Sequence, residues 1–167
     1  MECPAFVVAR RPRCFPPAYG LLAPAEPKTM HTQLYFKSTA FPKYEREGDE
    51  IINATRWGKR LAEFLRDTLP KHGVETGNIH PEDWGWLVEI PNEDLPLWIG
   101  CGPTDGLHEL EQTGELIEFS ISVIAEPSFL KRLFKRIDTA PAISQVVAGI
   151  KEMIASSVLF QDPQWSS

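Results

Sequence analysis

Leu116-Ile117-Glu118-Phe119-Ser120-Ile121-Ser122-Val123-Ile124-Ala125 is the run that decides the fold. Ile117, Phe119, Ile121, Val123 and Ala125 alternate with Glu118, Ser120 and Ser122, and a period of two sends the two sets to opposite faces of a strand. One apolar and one polar face is the pattern of an antiparallel strand packed on a single side. Two runs upstream read the same way. Over residues 84–90, Trp84, Trp86, Val88 and Ile90 are expected to share a face; over 95–101, Leu95, Leu97, Ile99 and Cys101 do. Pro96 has no amide proton, so its strand either lies at an edge or begins there. The three runs make a meander.

Outward from the meander, Leu34-Tyr35-Phe36 with Thr39 and Phe41 reads as an earlier strand ended by Pro42, and residues 43–53 read as a charged loop. A helix is expected over 54–69, with Asn53 as N-cap. Its apolar face holds Trp57, Leu61, Phe64, Leu65 and Thr68. Pro70 limits it, and Gly73 suits a left-handed cap. After Pro127, residues Phe129, Leu130, Leu133, Phe134 and Ile137 form one arc of a further helix. Lys131, Arg132, Lys135 and Arg136 fill the opposite arc. Pro141 opens a last helix whose apolar face runs from Ile143 through Val146, Ile150 and Met153 to Ile154. The order β-α-β-β-β-α-α implies an α+β, two-layer fold: a mostly antiparallel sheet with helices packed on one face.

At 167 residues the chain suits one domain. Residues 1–29 hold six of the fifteen prolines, which deny the stretch both helix and central strand. They read as a disordered Pro-rich N-terminal extension, or an upstream start with Met30 opening the domain. Residues 30–160 then form a single α+β domain, and 161–167 a C-terminal tail. No apolar run reaches the roughly 18 residues a spanning helix needs, so no membrane partner is expected. Cys3, Cys14 and Cys101 are too few and too scattered for a disulfide framework or a zinc cluster, which points to a reducing cytoplasm. A net charge of −6 argues against nucleic acid as partner. The four histidines fall at no metal-ligand spacing. No metal or cofactor is expected.

Residues 72–130 contain no Lys or Arg at all, and twelve acids. The acids expected to present a docking surface are Glu82, Asp83, Glu89, Glu93 and Asp94 on the meander, with Asp105, Glu109 and Glu111 in the loop after it. A surface of one sign would speed the approach of a basic partner. The opposing reading is internal balance, with the cationic arc of Lys131 to Arg136 laid on these acids.

Trp84, Trp86 and Trp98 offer a platform for a ligand or partner, or else core aromatics. Trp98-Ile99-Gly100-Cys101-Gly102 ends in a glycine-rich turn without the lysine and helix of a phosphate loop. Cys101 with His80 or His108 would be the candidate nucleophile and base, yet no basic neighbour would lower the thiol's pKa, and a buried cysteine is the simpler reading. No catalytic residue is assigned.

The segments Arg56-Trp57-Gly58-Lys59-Arg60-Leu61-Ala62-Glu63-Phe64-Leu65, Glu82-Asp83-Trp84-Gly85-Trp86 and Pro96-Leu97-Trp98-Ile99-Gly100-Cys101-Gly102 resemble a family of small bacterial proteins. The resemblance spans about residues 33–155. It implies a bacterial, cytoplasmic setting and brings no activity, cofactor or catalytic residue with it.

These observations favour a non-enzymatic acidic interaction protein that binds a basic partner, for example an immunity protein neutralising a toxin. One alternative is a small-molecule binding protein or enzyme with a site near Trp84, Trp86, Trp98, Cys101 and His108. Another is an accessory subunit of a larger assembly, with residues 160–167 and Trp165 as the contact.

Overall fold

The computed structural model describes residues 32–51, 53, 56–93, 95–104, 114–125 and 138–166. Over them the chain forms a six-stranded antiparallel sheet and two α-helices, an α+β fold. In chain order these are β1 (Gln33–Ser38), α1 (Lys59–Thr68), β2 (Ile79–Glu82), β3 (Gly85–Ile90), β4 (Leu97–Pro103), β5 (Ile117–Ala125), α2 (Ala140–Ala155) and β6 (Gln161–Trp165). Their order across the sheet is β2-β3-β4-β5-β1-β6.

The period-two pattern sets the register. Phe36 pairs with Phe119, Leu34 with Ile121, Cys101 with Ile121, Ile99 with Val123, Val88 with Ile99 and Trp86 with Cys101. All of them are buried. A slip of one residue on any strand would turn this set to water, so one register is strongly preferred. Leu61, Ala62 and Leu65 of α1 and Val146, Ile150 and Met153 of α2 join the same core. Aromatic rings close one end of it: Phe36 stacks on Phe119 at 5.7 Å, Phe160 lies 4.7 Å from Phe36, and Trp57 meets Phe119 edge-on.

The strand expected at 95–101 begins after Pro96 and runs in the sheet interior, which resolves its placement in favour of a strand start. Gly73 adopts the left-handed conformation (φ 76°) after the 3₁₀ turn Leu69–His72. Three expectations are revised. The first helix begins at Lys59, not at residue 54, and Asn53 does not cap it. Glu47, in a 3₁₀ turn within the stretch read as a loop, is fully buried, and its Oε1 accepts from Gly58 N and Lys59 N, both at 2.7 Å. Gly58 at φ 136° makes the sharp entry that ordinary side chains resist. Second, Ile79–Glu82 is an additional strand, hidden from pattern reading by its four-residue length and Pro81. Third, Gln161–Trp165, read as tail, pairs with β1 across a register shift. Both edge strands carry a proline, Pro81 and Pro163, which blunts further strand addition.

The helix expected over residues 129–137, with its Lys131, Arg132, Lys135 and Arg136, lies outside the described residues, as does the 1–29 extension. Among the described residues no helix is long and apolar enough to cross a membrane.

Candidate functional site

The second face of the sheet is built from the other phase of each strand. Across it run His80 and Glu82 of β2, Leu87 and Glu89 of β3, and Trp98, Gly100 and Gly102 of β4. Ile124, Ser122, Ser120 and Glu118 of β5 and Gln33, Tyr35 and Lys37 of β1 complete it. Trp98 pairs with Ile124 directly across β4 and β5. This apolar pair divides the face into two grooves.

The first groove, of about 680 Å³, runs over β2, β3 and β4 to the β3–β4 connection. Glu82, Glu89, Glu93 and His80 line it around Leu87 and Trp98. Glu89 is fixed: its Oε2 accepts from Asn78 N at 3.2 Å, and its Oε1 lies 2.9 Å from His80 Nε2. No ion pair among the described residues joins Glu82, Asp83, Glu89 or Glu93 to a Lys or Arg. Three described cations take acids outside the meander: Arg46 pairs with Asp49, Lys59 with Glu50, and Arg66 with Asp67. Here the carboxylates surround an aromatic and aliphatic floor. Such a groove suits the stem and charged head of a Lys or Arg side chain, with Trp98 available for cation–π contact.

The tryptophans do not share one face. Trp84 sits in the two-residue turn Asp83-Trp84 that joins β2 to β3, and β3 starts at Gly85, which has a φ of 152° and lies close to the Cys101 carbonyl. A Cβ at Gly85 would come within 2.6 Å of that oxygen. Trp86 is consequently core, whereas Trp84 folds back over β4 on the other face and keeps 42% of its surface exposed. Its ring occupies the space above Gly100, where a Cβ would meet it at 2.8 Å. Trp98, half-buried, stands on the same face as Trp84.

Cys101 lies beneath the sheet, paired with Trp86 and Ile121 and only 1% exposed. Burial raises its thiol well above the ordinary cysteine range, and the negative charge of Glu47 adds to the shift. Buried in this way, its sulfur is not placed to meet a substrate. The residues expected to meet at a ligand or enzyme site are thus split, with Trp86 and Cys101 under the sheet and Trp84 and Trp98 above it. His108, Asp94, Asp105, Glu109 and Glu111 lie outside the described residues. Among the described residues no three His, Cys, Asp or Glu side chains gather as a metal site requires.

Pattern reading passed over Leu87 and Arg56 as site residues and took His80 only as a candidate base for Cys101 or a metal-ligand type. Leu87 belongs to the polar phase of β3, and His80 to a strand too short to notice. Only pairing of β2 with β3 brings His80 beside Glu89. The acidic face is also less uniform than the meander alone implies, because β1 places Lys37 across from Glu118. No family model, no curated protein and no solved structure matches the chain.

Proposed function

We propose that the protein is a non-enzymatic docking domain whose acidic groove takes a basic segment of a partner protein, an immunity-type protein covering the basic site of a toxin being one concrete form. The observation that carries this reading is the groove itself: Glu82, Glu89 and Glu93 around Trp98, with no Lys or Arg among the described residues paired to them. The excess of carboxylate steers a cationic partner in, and contact with Leu87 and Trp98 then holds its side chains. The net charge of −6 supports a protein partner over nucleic acid. The reading places the protein in a reducing bacterial cytoplasm, as the motif resemblance and scattered cysteines imply. It also requires two layers, with the helices, including the one expected over 129–137, gathered on the core face so that the groove stays open.

The test uses an arginine-rich peptide as a defined basic probe on the full chain. The triple variant E82Q/E89Q/E93Q should weaken binding by at least about tenfold, while E45Q/E152Q/D162N, equal in charge but elsewhere, should change it by no more than about twofold. Equal losses from both triples would mean diffuse charge attraction, not a docking site, and would overturn the reading.

A further inference from the structure

The second groove on the same face has a different chemistry. It is about 540 Å³ and lies over β4, β5 and β1, on the far side of the Trp98–Ile124 divide. Gly100, Gly102, Ser120 and Ser122 form its floor, Trp84 and Tyr35 line it, and Arg56 and Gln33 complete its polar complement. We infer that this cleft binds a small planar aromatic carboxylate, its ring against Trp84 and its carboxylate on the Arg56 guanidinium.

Four observations lead there. Gly100 leaves room for the Trp84 ring to seat against β4, and the groove opens beside that ring over Ser120 and Ser122 toward Tyr35. Trp84 is fixed at the rim by the slot above Gly100, yet remains 42% exposed, more open to solvent than any other Phe, Tyr or Trp side chain among the described residues. An exposed, positioned indole offers a stacking surface at little entropic cost. Arg56 makes no ion pair among the described residues, although the chain has acid to spare. A guanidinium is a planar fork matched to a carboxylate. Finally, the acids of the first groove are absent from this lining, and the side of the sheet it occupies carries Lys37. One guanidinium balances one negative charge; a phosphate dianion would leave a charge uncompensated on an already acidic protein. Ser120, Ser122 and Gln33 add hydrogen-bonding groups along the floor, which suits a ring bearing hydroxyl or amino substituents.

The experiment is a calorimetric titration of the full chain with indole-3-acetate and 4-hydroxybenzoate as probes, with benzyl alcohol, acetate and glucose as comparators. Saturable binding of at least one aromatic carboxylate is expected. R56Q should weaken it by at least about tenfold, with R56K intermediate, and W84A by a similar factor. Circular dichroism of each variant verifies that the fold is retained, and R56K serves where R56Q does not fold. The triple variant E82Q/E89Q/E93Q should leave this binding unchanged, which separates it from the docking groove. The inference is overturned if neither carboxylate saturates, if benzyl alcohol or glucose binds as well as the carboxylates, or if affinity is indifferent to Arg56 and Trp84.

Discussion

Glu47 shows how a single side chain can fix an element boundary. Its carboxylate is buried where the first two amides of α1 need an acceptor, and the helix dipole favours its charge there. Glu47→Ala should cost about 3 kcal/mol in urea unfolding, since the buried Gly58 N–H and the part-buried Lys59 N–H lose a charged acceptor, and Glu47→Gln about half of that. Gly100 and Gly85 predict contrasting outcomes. Gly100→Ala displaces only the half-exposed Trp84 ring, so it should red-shift tryptophan fluorescence at a cost of about 1 kcal/mol. Gly85→Ala presses a Cβ on backbone at a strained φ, and should cost more than about 3 kcal/mol or prevent folding. Cys101 gives a pH expectation. Its thiol titrates higher in the folded than in the unfolded chain, so it favours folding below the ordinary thiol pKa, and that contribution fades as pH rises past it. With Cys3 and Cys14 replaced by serine, a disulfide reagent at pH 8 should label Cys101 only once the chain is unfolded.

At the scale of elements, long periodic runs were the legible part of the described residues. The alternation at 116–125 and the apolar stripe of the last helix have enough length for their period to be unambiguous, and β5 and α2 follow them closely. What failed was local. Asn53 is a good capping residue, but a carboxylate distant in sequence outcompetes it, and no window of sequence contains both Glu47 and its role. β2 and β6 are strands by pairing rather than by propensity: each holds a proline and lies at an edge, where only one neighbour is needed. Edge pairing should be worth little. Ending the chain after Phe160 should lower stability by about 1–2 kcal/mol while the core persists, because β6 contributes little beyond the partly buried Trp165. Ile150→Ala in α2, by contrast, opens a cavity in the core and should cost about 3–4 kcal/mol.

For the whole molecule, one face of the sheet makes the core, and the proposed function assigns recognition to the other. The absence of Lys and Arg over 72–130 was legible in composition, but not the way folding gathers part of that acid into one groove and leaves Arg56 to another. The tryptophan positions were legible; their faces were not, because Trp84 sits in the two-residue turn from β2 to β3 and only Trp86 lies in the strand. Lys131, Arg132, Lys135 and Arg136, expected from the sequence on one arc of a helix, offer a test of the openness of the acidic groove. Replacing all four with Gln should leave the affinity for an arginine-rich peptide within about twofold; an increase of about tenfold would mean that the arc neutralises the groove from within. The most direct measurement of the central claim is an NMR map of that peptide on the isotope-labelled full chain. The account predicts saturable shifts centred on His80, Leu87, Glu89 and the Trp98 indole, with α1 and α2 unmoved. Shifts spread evenly over every exposed carboxylate, or centred away from β2, β3 and β4, would contradict it.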